Sequence, residues 1–206
     1  MENTTVSTLE QYIASAKEEF HLISEERKEA LEVISNFVKT KLAEDGIANL
    51  ILICTHNSRR SHLSQVWTQV AAYHYGFSDV FAYSGGTEAT ALFPSAANAL
   101  ERAGLSVQKL SDEANPVYAI KYDENQPAII GFSKKYDHSF NAQSGFGAVM
   151  TCGHADANCP FIPGATRISL PFEDPKAFDG TPEQEEKYDE RCRQIARELL
   201  YAFSVI

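Results

Sequence analysis

The chain has 206 residues, 44% of them hydrophobic, and a formal net charge of −10. That length and apolar share suit one domain with a sizeable core, or one domain with an extension. The acidic balance argues against a nucleic-acid partner, which would want a basic face. The four cysteines are too few for a disulfide scaffold and read as catalytic, redox-active or buried thiols. No apolar run approaches the roughly eighteen residues that span a bilayer. The start, Met1-Glu2-Asn3-Thr4, lacks the basic flank and apolar stretch of a signal peptide, so no membrane association and a cytoplasmic location are the expectation.

Residues 1 to 48 are dominated by helical periodicity. Val6, Leu9, Ile13, Ala16 and Phe20 follow steps of three and four, which predicts a first amphipathic helix. Ser24 caps a second, with Glu25 and Glu26 in its first turn and Ala30, Leu31, Ile34, Phe37, Val38 and Leu42 as its apolar face; Asp45-Gly46 stops it. The pair reads as a helical hairpin packed on the domain or on a second copy of the chain, as in a homodimer, with a partner-recognition module as the alternative.

From residue 47 strands and helices alternate. Residues 47 to 53 read as an apolar strand, Ser61 to about Tyr75 as a helix, and Val80 to Ser84 as a second strand. Gly85-Gly86-Thr87 is a turn, and Pro94 opens a helix that ends at Gly104. This is the pattern of parallel βαβ units in an open α/β sheet, where ligands bind at the carboxyl ends of strands. Val117 to Tyr122 and Ala128 to Phe132 read as an inserted antiparallel hairpin, and Ser133 to Gly145 is polar and without period. Ala148 to Thr151 resumes the sheet and Arg167 to Leu170 is its last strand. Thr181-Pro182-Glu183-Gln184 reads as a capping box with Pro at the first helical position, and the closing helix buries Tyr188, Cys192, Ile195, Leu199 and Phe203.

The junction between the first strand and the next helix is Cys54-Thr55-His56-Asn57-Ser58-Arg59-Arg60-Ser61. A cysteine in such a turn faces backbone N–H groups and the positive end of the helix dipole, which favour the thiolate and hold a tetrahedral oxyanion against it. Thr55, His56, Asn57, Ser58, Arg59, Arg60 and Ser61 are the expected anion cradle. Arg60 would grip the oxyanion through its planar fork, while Arg59 suits an exposed salt bridge better. Ser61 either donates to the thiolate or caps the helix. Asn57 would hold the turn, since Asn tolerates left-handed backbone.

Five segments then occur in one order: Cys54 to Ser61, Tyr83-Ser84-Gly85-Gly86-Thr87-Glu88, Val149-Met150-Thr151-Cys152, Asp156-Ala157-Asn158-Cys159-Pro160, and Phe172-Glu173-Asp174-Pro175. On these segments the stretch from Asn49 to Phe203 resembles the low-molecular-weight protein tyrosine phosphatase superfamily, and most of all its thioredoxin-coupled arsenate reductases. The resemblance implies an open, mainly parallel four-stranded sheet flanked by helices over residues 47–206. Residues 1–46 are then an N-terminal helical extension, and the hairpin is an insertion.

The resemblance implies a catalytic set of Cys54, Arg60, Asp174, Cys152 and Cys159, with no metal and no cofactor. Cys54 is the nucleophile and Asp174 the general acid for the leaving oxygen. In the reductase reading Cys54 attacks arsenate, Cys152 attacks Cys54 as arsenite leaves, and Cys159 resolves that disulfide for thioredoxin to reduce. A phosphatase of the superfamily would instead hydrolyse a phosphomonoester through a phosphocysteine and need no second cysteine. A third reading is an anion-binding or interaction protein with an impaired site, since His56 stands where the family carries a small residue. His154 could serve a zinc site, but no fourth ligand is evident. Cys192 falls on an apolar stripe and reads as inert core, and Glu173 and Asp179 read as solvated.

Overall fold

The computed structural model describes residues 8–158 and 161–206. The run Leu50-Ile51-Leu52-Ile53 is wholly buried because β1 (Ala48–Cys54) is an inner strand of a four-stranded parallel sheet. Its neighbours are β2 (Val80–Gly86) on one side and β6 (Phe146–Met150) on the other, and β7 (Ala165–Ser169) completes the order β2-β1-β6-β7. A parallel inner strand covered on both faces reads as a continuous apolar run, as this one does. Its carboxyl end delivers Cys54 to the rim of the sheet.

α3 (Arg60–His74) leaves that rim and runs back along the sheet with Leu63, Val66, Trp67, Val70 and Ala71 buried. It also covers the outer edge of β2. Gln69 donates through Nε2 to the Val80 carbonyl and accepts from the Ala82 amide, while Gln65 Nε2 donates to the Ala82 carbonyl. Further along, Asn141 Nδ2 donates to the Ser84 carbonyl. Side-chain amides thus occupy an edge that would otherwise offer a template for strand pairing.

The N-terminal helices form as the sequence predicts. In α1 (Thr8–Glu18) Leu9, Ile13 and Ala16 are buried; Val6 lies outside the described residues, and Phe20 sits in a 3-10 turn that follows. α2 (Glu25–Asp45) is capped by Ser24, whose Oγ accepts from the Arg27 amide at 3.2 Å. It ends at Gly46, left-handed at φ 71°, whose amide donates to the Leu42 carbonyl. Both helices pack on α6 (Gln184–Ser204), and their apolar faces share one cluster with Leu50, Trp67, Leu199 and Phe203. They therefore wall the main core of their own chain. Truncating a fully buried member such as Leu31 should cost about 2–5 kcal/mol.

Two local expectations are corrected, and one element appears for which none was expected. The expected hairpin is a three-stranded antiparallel meander: β3 (Ser106–Lys109) precedes β4 (Tyr118–Lys121) and β5 (Ile129–Gly131), in the order β3-β4-β5. β3 is largely exposed, so no apolar alternation marks it. The helix α4 (Pro94–Arg102) before it opens at Pro94 as predicted. The capping box at Thr181 does not form. The 3-10 turn Pro175–Phe178 is followed by Thr181, whose amide and hydroxyl both donate to the Phe178 carbonyl, and α6 starts at Gln184, two residues after Pro182. Gln184 instead reaches back to accept from the Gly180 amide. Finally, the polar stretch after Cys152 contains a short helix, α5 (Gly153–Asn158).

Candidate functional site

The turn from Cys54 to Ser61 closes through side chains rather than ladder bonds. Asn57 takes φ 44°, the one positive value outside glycine among the described residues, as expected of Asn in a tight turn. Its Oδ1 accepts from the Lys134 amide at 2.8 Å, which fixes Nδ2 as the donor to Ser61 Oγ, also at 2.8 Å. With that lone pair taken, the Ser61 hydroxyl proton is free to point at Cys54 Sγ, 3.1 Å away. Asn57 and Ser61 are fully buried and Cys54 is 4% exposed, so this chain is shielded from water. Ser61 Oγ thus lies within hydrogen-bond reach of the sulfur.

The amides of Asn57 through His62 donate to no protein acceptor among the described residues. Six N–H groups at the start of α3 are thus available beside the thiol, the arrangement that holds a phosphate-like anion. The neighbouring segment Tyr83 to Glu88 wraps this turn: the Thr87 amide donates to the Cys54 carbonyl, and the Glu88 amide and Thr87 hydroxyl to the Thr55 carbonyl. Gly86 permits it, because a Cβ there would collide with the Asn57 amide and with the Thr55 and Glu88 carbonyls.

Arg60 and Asp174 meet. Nη2 of Arg60 lies 2.6 Å from Asp174 Oδ2, and Nη1 donates to the Phe172 carbonyl at 2.9 Å. Asp174 Oδ1 accepts from the Lys176 amide, so both carboxyl oxygens hold donors. Cys152, fully buried, lies on the other side of the turn with its Sγ 3.6 Å from Thr55 Oγ1. Cys54 and Cys152 belong to one small apolar cluster with Ile51, Ile53, Met150 and Ala155. Cys159 lies outside the described residues.

Two loop residues depart from expectation. Arg59 is neither exposed nor directed at the cradle. Its Nη2 pairs with Asp179 at 2.5 Å, its Nε donates to the Tyr188 hydroxyl, and its guanidinium lies 4.0 Å from the centroid of the Phe93 ring. Only its backbone belongs to the turn. Asp179 accordingly is not solvated; it also accepts from Tyr188, and burial pushes that phenol well above its ordinary pKa. His56 does not crowd the cradle. Its ring is 42% exposed and stands 3.7 Å from Glu88, while its carbonyl accepts from the Thr90 and Ser133 hydroxyls.

The sequence missed the floor beneath the turn. Lys134 is 2% exposed and faces no carboxylate; its Nζ reaches the Ser84 hydroxyl and the Phe132 carbonyl and lies 4.5 Å from the Phe132 ring centroid. Burial pulls its pKa down to about 8. His62 Nδ1 lies 3.2 Å from the same Ser84 hydroxyl, and burial, with Lys134 beside it, lowers its pKa to about 3. The helper bonds of Ser133 and Lys134 span 77 residues, so no local signal announces them. Cys192 is core, as expected: it accepts from the Trp67 indole, and burial raises its pKa to about 12.

No protein-family model matches the chain. An arsenate reductase of Shouchella clausii (strain KSM-K16) is 26% identical over 145 residues, covering 70% of this chain and 86% of that protein. Among solved structures, a low-molecular-weight phosphotyrosine phosphatase from Vibrio cholerae O395 matches with a TM-score of 0.50 at 12% identity, over 77% of this chain and 95% of its own. An arsenate reductase in a phosphate-binding state matches at 0.49 and 16% identity, over 78% and 99%. The chain has the low-molecular-weight phosphatase fold, and the resemblance to that superfamily and its arsenate reductases stands. Among the described residues no helix is long and apolar enough to cross a membrane.

Proposed function

We propose that the chain reduces arsenate to arsenite through Cys54, Cys152 and Cys159, with thioredoxin as the reductant of the final disulfide. The observation that carries this reading is the position of Cys152, a buried thiol in contact with a residue of the Cys54 turn. A phosphatase has no use for a second cysteine there.

The Cys54 thiolate, supported by the Ser61 hydroxyl, displaces an oxygen of arsenate held by the amides of the turn and by Arg60. Asp174 protonates that oxygen as it leaves as water. For this Asp174 must release Arg60, and the bound oxyanion supplies the guanidinium with another partner. The Cys152 thiolate then attacks Cys54 Sγ; the sulfur–arsenic electron pair departs with arsenic, which leaves as arsenite, and two thiols have become one disulfide. Cys159 attacks Cys152 in turn, and thioredoxin reduces the resulting Cys152–Cys159 bridge.

Cys152→Ser is the test. Thioredoxin-dependent arsenate turnover should vanish, while release of phosphate from an aryl phosphate, which uses only Cys54, Arg60 and Asp174, should persist. Arsenate turnover that survives the substitution removes the relay. The competing reading, hydrolysis of a phosphomonoester, is favoured by the Arg60–Asp174 pairing, which is all that chemistry requires beside the thiol.

A further inference from the structure

The relay needs Cys152 as a thiolate, yet its sulfur has no exposure through which to shed a proton directly to water. A path exists within hydrogen-bond reach. The Ala155 amide donates to Cys152 Sγ at 3.3 Å, which leaves the thiol proton to be directed elsewhere. Thr55 Oγ1 lies 3.6 Å from that sulfur and 3.3 Å from His154 Nδ1, and His154 is exposed. With the ring proton on Nε2, Nδ1 is an acceptor, and the three groups form one directional chain: S–H to Thr55 oxygen, Thr55 O–H to His154 nitrogen.

We propose that His154, acting through the Thr55 hydroxyl, takes the proton from Cys152 as that thiol becomes the attacking thiolate. The inference rests on the reductase reading. The Cys152 S–H bond breaks as its proton passes to Thr55 oxygen, while the Thr55 proton passes to His154 Nδ1. The threonine is unchanged and the imidazole becomes imidazolium. The sulfur keeps the electron pair and spends it on Cys54 Sγ. The imidazolium, open to solvent, then returns its proton to water or to the departing arsenite.

Among the described residues the surroundings of this path carry few charges. β1 and β6, on which α5 packs, bring no charged side chain. On α5 itself Asp156 is held by Arg167 and Ser169 of β7. On the loop side His56 pairs with Glu88, and Arg60 with Asp174. His154 is therefore the one titratable side chain joined to Cys152 through Thr55 among the described residues.

The test follows formation of the Cys54–Cys152 disulfide by rapid quench and mass spectrometry, in a Cys159→Ser background so that the bridge is not passed on. Arsenate is the oxidant in one arm. In the other, hydrogen peroxide converts Cys54 thiolate to the sulfenic acid, and Cys152 attack expels hydroxide. With His154 present the rate should rise with pH and level once the imidazole is free to accept the proton. His154→Ala should slow the step about 100-fold at pH 7, move its rise to higher pH, and respond to added imidazole. Thr55→Ser should keep most of the rate and Thr55→Val should lose it. An unchanged rate in His154→Ala, or a slower one with the parent pH profile and no rescue by imidazole, overturns the proposal. A disulfide with peroxide but not with arsenate, still dependent on His154, removes the reductase reading and leaves the proton path standing. No disulfide with either oxidant overturns both.

Discussion

The hydrogen bond from Ser61 to Cys54 can be isolated by one substitution. Ser61→Ala removes the hydroxyl 3.1 Å from Sγ but leaves Asn57 tied to the Lys134 amide, so the turn keeps its shape. A hydrogen bond to a charged acceptor is worth about 1.5–3 kcal/mol, and each 1.4 kcal/mol is about a factor of ten. Cys54 should therefore react about 10- to 100-fold more slowly with iodoacetamide at pH 7, read at the Cys54 peptide by mass spectrometry. Stability should fall by only about 1 kcal/mol, from the lost acceptor of Asn57 Nδ2. Asn57→Ala is the contrast. It puts a Cβ-bearing residue at φ 44° without the Asn side chain, about 1–2 kcal/mol, and orphans the buried Lys134 amide, about 1–3 kcal/mol. Urea unfolding should show that loss directly. Wild-type alkylation kinetics in a folded Ser61→Ala protein would refute the assigned direction of the chain Lys134 to Asn57 to Ser61 to Cys54.

Two other predictions concern the shell around the site. His62 has its pKa lowered to about 3 in the fold against an ordinary value near 6.5, so the unfolded chain binds the extra proton between those values. Stability should thus fall as pH drops from about 6.5 toward 3, by on the order of 3–5 kcal/mol at most, and His62→Gln should flatten urea midpoints measured from pH 7 to pH 4. An equal acid sensitivity in the variant would assign the loss to other groups. Arg59→Ala breaks a largely buried pair with Asp179 and the stack on Phe93. We expect about 3 kcal/mol of destabilisation by urea titration, with inorganic phosphate inhibiting the arsenate reaction at nearly unchanged concentration. A large rise in that inhibition constant would return the Arg59 guanidinium to the cradle.

What the sequence made legible divides along the range of the contacts involved. The run Leu50 to Ile53, the cap at Ser24 and the left-handed Asn57 are local, and each formed where periodicity or turn chemistry put it. The alternation of strands and helices pointed to a parallel α/β sheet, and the family resemblance to its four strands. β3 stayed hidden because it is mostly exposed and held by pairing with β4, and pairing leaves no pattern in an exposed strand. The direction of Arg59 was hidden for a similar reason. Two adjacent arginines at the start of a helix look interchangeable until Asp179 and Tyr188, more than a hundred residues away, claim one of them. Thr181 shows the opposite failure: its local signal was sound, but the preceding 3-10 turn had a prior use for its donors.

The Arg60–Asp174 pair bears on how one scaffold could run both chemistries under comparison. In this structure the guanidinium is divided between the Asp174 carboxylate and the Phe172 carbonyl, while the amides of the turn donate to no acceptor among the described residues. An arriving dianion meets the unpaired amides first and then competes with Asp174 for the planar fork of Arg60, a contest that a doubly charged tetrahedral oxyanion is suited to win. Under the proposed mechanism the consequence is ordered: anion binding uncovers the carboxyl oxygen that Arg60 had occupied, and Asp174 becomes available as the general acid only when a substrate is in place. The turn and Arg60 offer the same donors to a phosphorus or an arsenic oxyanion. The distinction has to come after the first adduct, when either water or a thiol approaches Cys54. Cys152 is already buried beside Thr55 at that moment, and water is largely excluded from a sulfur that is 4% exposed. The proposed relay rests on this difference of approach, a thiol beside the turn and little water at the sulfur.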